Sequence, residues 1–172
     1  GLFFSMVGTY TYLTAWLKEA QGLAEDRIGV VLAVAGVMGI PASAVAGRWV
    51  DRLGRKAVGL AGMAGYIASL AGFWGLPYSF TGIVGLAALF GWSGAVAWIA
   101  LNTLAVEVIP ALRKPVASVY NAFRFFAYSL APPILGLVYG QGNVAGVYLI
   151  CELVAFGSVS SIAALRLPRR RF

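Results

Sequence analysis

Charged and apolar residues occupy separate, long blocks of this chain. No charge occurs in residues 28–47 or 57–106, and the apolar stretches 115–139 and 144–165 carry one charge each. About 20 apolar residues cross the hydrocarbon core of a bilayer as a helix. The longest uncharged block therefore holds two helices, which we separate at the turn around Pro77. The pattern predicts five complete transmembrane helices.

The beginning of the chain predicts a sixth, shorter helix. Residues 2–17 are apolar or carry hydroxyl groups, and they end before Lys18. Because the chain starts at Gly1 and not at Met, we interpret this segment as a transmembrane helix cut near its beginning, and we expect a longer protein. We predict an all-α, integral membrane bundle of six transmembrane helices, a single domain over residues 1–172. Its predicted helices span residues 2–17, 28–47, 57–76, 79–106, 115–139 and 144–165.

Composition excludes most other classes of protein. Hydrophobic residues make up 60% of the chain and charged residues 11%, whereas a soluble domain carries about 25% charged residues. This excludes a soluble enzyme, a disordered chain and a disulfide scaffold. The chain has no histidine and a lone cysteine, Cys151. We therefore expect no enzymatic activity, no metal and no cofactor.

The net charge of +7 is explained by membrane topology better than by nucleic-acid binding. Antiparallel helices place ten basic residues on one side of the membrane, and only Lys18 and Arg27 on the other. Cytoplasmic loops carry an excess of Lys and Arg, so we predict a cell (inner) membrane protein with both chain ends in the cytoplasm. The ten residues are Arg48, Arg52, Arg55, Lys56, Arg113, Lys114, Arg166, Arg169, Arg170 and Arg171.

A charged segment joins the second and third predicted helices. Residues 47–56 read G-x-x-x-D-R-x-G-R-K. Gly47 would let helices approach closely, and Gly54 permits a backbone turn that a Cβ would resist. Asp51 can accept hydrogen bonds from arginines or from a helix N-terminus. Taken by itself, the segment is better explained as a solvated basic loop that follows the excess of Lys and Arg on the cytoplasmic side.

This segment resembles motif A of the major facilitator superfamily, which joins the same two helices in a six-helix half. The resemblance implies a secondary transporter whose substrate lies between two such halves. It also implies a conformational latch in which Glu107, at the end of the fourth helix, pairs with Arg52 or Arg55. Asp51 would face a helix end of the other half. The latch residues are Gly47, Asp51, Arg52, Gly54, Arg55, Lys56 and Glu107.

The chain is more similar to the C-terminal half of such a transporter. Its fourth helix lacks the arginine that is common in N-terminal halves, and its fifth helix, around 118–124, resembles an eleventh helix. The basic tail 169–171 suits the end of a chain. Residues 131–136 match the antiporter motif C only in part, so antiport is not inferred.

Charge at membrane depth marks the candidate substrate site. A charged side chain at that depth costs about 2.5–3.5 kcal/mol, yet Arg124 and Glu152 lie inside the fifth and sixth helices. They could form a structural ion pair, or Arg124 could hold an anionic or polar substrate. Asn121, Arg124 and Tyr128 share one helix face. Trp92 and Trp98, inside the fourth helix, could pack against neighbours or line a cavity. The substrate-binding candidates are Tyr10, Trp92, Asn121, Arg124 and Tyr128.

The predicted function is alternating-access transport of a small-molecule solute, with this chain as one half. The implied partners are the bilayer, the substrate, the other half, and protons as a candidate coupling ion. Two alternatives stay open: a self-contained six-helix protein that transports as a homodimer, and a ligand-binding sensor on the same fold. The solute itself stays open because fold does not fix function.

Overall fold

The fold is a bundle of six helices. The computed structural model describes residues 1–19, 21–75, 79–107 and 112–164, without the side chains of residues 74, 75 and 107, and all regular secondary structure in these ranges is helical. The predicted all-α, six-helix fold is confirmed. The helices are α1 (Leu2–Glu19), α2 (Glu25–Leu53), α3 (Arg55–Gly75), α4 (Phe80–Glu107), α5 (Arg113–Tyr139) and α6 (Val144–Ala164).

Five of the helices, α2 to α6, are long and apolar enough to cross a membrane. The first helix, α1, is not among these five: its 18 residues include several hydroxyl side chains and end in Lys18 and Glu19. It packs chiefly against α5 and α6. Leu13 and Leu17 of α1 are fully buried. The first helix is therefore an interior element of the bundle, and the hydrophobicity criterion holds for the other five.

Small residues set the spacing between α4 and its neighbours α2 and α3. A Cβ at Gly62 would lie 2.6 Å from the backbone nitrogen of Ala97, and one at Gly91 would collide with the backbone oxygen of Ala35. Lipid removes the hydrophobic drive between membrane helices, so such close backbone packing is a main source of their association. Gly62 and Gly91 therefore permit the close approach of α4 to α3 and α2.

The junction of α2 and α3 is tighter than a loop. We expected α2 to end at residue 47, but it continues to Leu53, and α3 begins at Arg55. The prediction of a loop over 48–56 is wrong, because residues beyond the hydrocarbon can still complete helical hydrogen bonds. Gly54 makes the turn with a φ of 87°, and its N–H donates to the Val50 oxygen at 3.1 Å. The predicted turn at Gly54 is confirmed.

Candidate functional site

Arg124 lies among aromatic rings contributed by three helices. Its guanidinium carbon is 5.7 Å from the ring centroid of Phe3 on α1, 5.6 Å from that of Trp98 on α4, and 4.8 Å from that of Phe125 on α5. A cation within about 6 Å of a ring centroid is attracted by the ring's quadrupole. We call Phe3, Trp98 and Phe125 the aromatic cage.

Phe3 connects the cage to further aromatic rings. Its side chain is 7% exposed, and its ring makes edge-to-face contacts with Trp98, Tyr120 and Tyr128 at centroid distances of 6.3, 6.0 and 5.5 Å. Such T-shaped arrangements are preferred because the positive edge of one ring meets the negative face of the other. A single residue of α1 therefore fixes rings on α4 and α5.

Two polar atoms in this region are buried without a hydrogen bond. Within the described residues, neither Nε of Arg124 nor the hydroxyl of Tyr120 has a partner. Tyr120 precedes Arg124 by four residues, so both project from the same face of α5. Buried polar groups are nearly always hydrogen-bonded in native proteins. Two unpartnered polar groups one helical turn apart therefore indicate a place where a ligand or water supplies the missing hydrogen-bond partners.

The hypothesis of an ion pair between Arg124 and Glu152 is wrong. Both residues are described, and no contact of 4 Å or less joins their charged groups. Arg124 points toward rings of α1 and α4, whereas α6, which carries Glu152, packs more closely against α1 and α3 than against α5. The sequence placed both charges inside neighbouring helices but could not give their directions around those helices.

The structure separates the predicted substrate residues into two groups. Tyr128 joins the Arg124 region through Phe3 and lies 6.2 Å, centroid to centroid, from Phe125. Asn121, on the same helix, is half-buried.

Tyr10 and Trp92 make their ring contacts elsewhere. Tyr10 packs edge-on against Phe90 at 5.1 Å. Trp92 packs against Trp49 at 6.4 Å, and both tryptophans line an apolar cleft of about 570 Å³ between α2, α3 and α4.

Sequence reasoning missed three residues of the site and left Trp98 undecided. Tyr120 could have been found, because it lies one turn before Arg124 on the same face. Phe3 and Phe125 gave no signal among the many aromatic residues of the chain. Trp98 was indistinguishable from Trp92, since only the packing of α4 shows which of the two faces α5.

The motif A segment contains the C-terminal end of α2 and the start of α3. It therefore lies at the far end of α2 from the connection between α1 and α2. Asp51 and Arg52 are exposed in the last turn of α2, and no hydrogen bond or ion pair reaches either of them from the described residues. Lys56 donates to the backbone oxygen of Ala163 at 2.7 Å, which places a cation at the C-terminal end of α6, where the helix dipole favours it. The side chain of Glu107 lies outside the described residues.

The environment of Gly47 differs from the expectation. Nothing in the described structure lies within 4 Å of a Cβ built there, so the close helix approach expected at Gly47 is wrong within this chain. The glycine of this segment with a visible backbone role is Gly54.

Comparison with known proteins agrees with the fold. The family model described as Major Facilitator Superfamily matches residues 1–172, which is the whole chain. A search of curated proteins gives no match. The chain belongs to the Major Facilitator Superfamily of membrane transporters.

Proposed function

We propose that this chain is one six-helix half of a secondary transporter that moves a small organic solute by alternating access, with Arg124 at the substrate site. Membership of the family supports transport. The observation that carries the site is the buried, unpartnered Nε of Arg124 inside the aromatic cage. Transporters of this architecture bind substrate near the midplane, between their halves.

The exposed apolar surface of α2 and α5 supports a second half as the partner. These two helices have the smallest buried shares among the five membrane-spanning candidates. Phe123 and Leu137 of α5 and Ile40 of α2 are each at least 70% exposed. We propose that the other half, on the same polypeptide or a second copy, covers this surface, and that this chain is the C-terminal half.

We further propose that the motif A segment acts as a latch on the cytoplasmic side. Asp51 and Arg52 are exposed and available to a partner, and the tight turn at Gly54 holds them beside the start of α3. In this proposal Asp51 contacts the other half in one state and releases it in the other. Gly47, Arg55, Lys56 and Glu107 complete the latch, and protons are the proposed coupling ion.

The test of transport uses the native gene product in proteoliposomes. The vesicles are incubated with a defined mixture of organic acids, sugars and amino acids, and the accumulated solutes are identified by mass spectrometry. We expect one class of solute to accumulate, to be lost in Arg124→Gln, and to be retained in Arg113→Gln. Arg113 is the matched control because it is an exposed arginine on the same helix. Equal accumulation by both variants would refute the assignment of Arg124.

The intact mass of the native product tests the assignment as a half. A mass about twice the 18.1 kDa of this chain would support two halves on one polypeptide. A mass near 18.1 kDa would instead favour the homodimer.

A further inference from the structure

We propose that the Arg124 site binds the carboxylate of an organic anion whose body is flat and apolar, an arylcarboxylate being the simplest case. This inference rests on the proposed function and names the class of substrate. It follows from three features of the site: its charge, its unpartnered polar groups, and the ring surfaces beside them.

The charge of the site matches a monoanion. Arg124 is the single cation of the cage, and no described acidic side chain forms an ion pair with it. An unbalanced charge in an apolar environment is costly, so the ligand that fits best neutralises the site without reversing its sign. A carboxylate carries one negative charge, whereas a phosphate monoester carries about 1.5–2 at neutral pH. The site therefore favours the carboxylate.

The donors of the site fit a carboxylate. Ring faces attract the guanidinium but do not accept its in-plane N–H groups as a carboxylate oxygen does. The Nε–H belongs to the edge of the fork that binds the two oxygens of a carboxylate in parallel. Nε is the guanidinium atom that the structure leaves buried and unpartnered, and the Tyr120 hydroxyl is a second unpartnered group one turn away. A carboxylate bound to this fork would supply the acceptor that Nε lacks.

The rings around Arg124 favour a flat body. Phe3 is almost completely buried, but Trp98 is 38% exposed and Phe125 is 57% exposed. Both are close to the guanidinium, so an anion bound there has open ring surface beside its body. Aromatic pairs gain more than their buried area alone provides, and a rigid planar ligand loses less conformational freedom on binding than a flexible chain.

The experiment measures binding to the purified native gene product in detergent micelles. The probes are sodium benzoate, cyclohexanecarboxylate, benzyl alcohol and phenyl phosphate, and the readouts are calorimetric titration and the shift in melting temperature. We expect benzoate to bind about tenfold or more tightly than benzyl alcohol, which lacks the charge. It should also bind more tightly than cyclohexanecarboxylate, which lacks the flat ring, and than phenyl phosphate.

Substitutions then locate the site. Arg124→Gln should lose benzoate binding, and Arg124→Lys should weaken it by about tenfold, because a lysine cannot form the bidentate fork. Arg113→Gln should bind as the unsubstituted protein does. Trp98→Leu should reduce the preference for benzoate over cyclohexanecarboxylate while binding of the latter continues. Arg124→Lys keeps the charge, so it serves as the second variant if Arg124→Gln fails to fold.

Three results would overturn the inference. The first is no benzoate binding at about 10 mM, a concentration well above a millimolar Kd. The second is equal benzoate binding by Arg124→Gln and the unsubstituted protein, and the third is tighter binding of phenyl phosphate than of benzoate. The proposed function is judged separately by solute uptake. Uptake of another class of solute without benzoate binding would refute the carboxylate inference and leave the transporter proposal intact. Benzoate binding that depends on Arg124, without uptake of any solute, would support the site and refute the transport proposal.

Discussion

Replacing Arg124 with methionine should leave the protein as stable as before or make it more stable. An arginine at membrane depth costs about 2.5–3.5 kcal/mol. Each cation–π contact stabilises the folded state by about 0.5–1 kcal/mol where the ring is exposed, and by more where water is excluded. The three contacts with Phe3, Trp98 and Phe125 therefore offset about 1.5–3 kcal/mol of this cost. Methionine keeps an unbranched apolar stem in the same space. The expected change in the free energy of unfolding is therefore between about −0.5 and +2 kcal/mol.

The assay is unfolding of the native gene product in mixed micelles with increasing SDS, followed by tryptophan fluorescence. In the SDS-unfolded state the guanidinium can reach water, so the cost of holding it at depth counts against the folded state. The matched control is Arg113→Met at the exposed start of α5, expected to change stability by less than about 0.5 kcal/mol. Removing one partner of a buried ion pair costs about 3–5 kcal/mol. A loss of 2 kcal/mol or more for Arg124→Met, on the same scale, would show that Arg124 is a structural residue.

Three further predictions concern the latch and the helix junctions. Asp51→Asn should reduce uptake by about fivefold or more, because coupling energies of about 1–3 kcal/mol bias the equilibrium between two conformational states. The control, Asp26→Asn at the opposite end of α2, should transport normally. Normal uptake by Asp51→Asn would refute the latch proposal. Gly91→Ala should lower the free energy of unfolding in the SDS assay by about 1–3 kcal/mol, because its Cβ meets the Ala35 backbone. The control is Gly85→Ala, which lies in open space on the same helix. It should be neutral or stabilising by up to about 1 kcal/mol. Gly54→Ala should lower the free energy of unfolding by about 1–3 kcal/mol, because the φ of 87° and ψ of 149° at Gly54 suit only glycine. Unchanged stability in the SDS assay would mean that the turn relaxes to another conformation.

The helices were predictable because charged residues are excluded from hydrocarbon. The ends of the helices were not predictable in this way. The uncharged blocks gave the number and order of the helices. The same criterion placed the end of α2 at residue 47, six residues before its actual end at Leu53. Charged residues mark where the hydrocarbon ends, but Arg48 and Arg52 are good helix formers and continue the hydrogen-bond ladder into water. The ladder of α2 ends at Gly54, which has a positive φ.

The site was predictable as far as a single helix determines it. The spacing of Arg124 and Tyr128 placed both on one face of α5, and the structure brings both to Phe3. The choice between Trp92 and Trp98, and the participation of Phe3, depend on how α1 and α4 are rotated against α5. That rotation comes from packing between helices, which the pattern of a single helix does not carry.

The exposure of the aromatic cage constrains what can surround α5. Trp98 and Phe125 leave ring surface open beside Arg124, so whatever covers these rings lies close to a guanidinium whose buried Nε has no partner among the described residues. Lipid chains offer no hydrogen-bond acceptor, and polar groups at membrane depth are tolerated where they face protein or a water-filled cavity. Lipid is therefore a poor neighbour for this face of α5, although it suits an apolar surface elsewhere. In the transporter that we propose, a second six-helix half would cover this face of α5 and enclose an aqueous cavity beside Arg124.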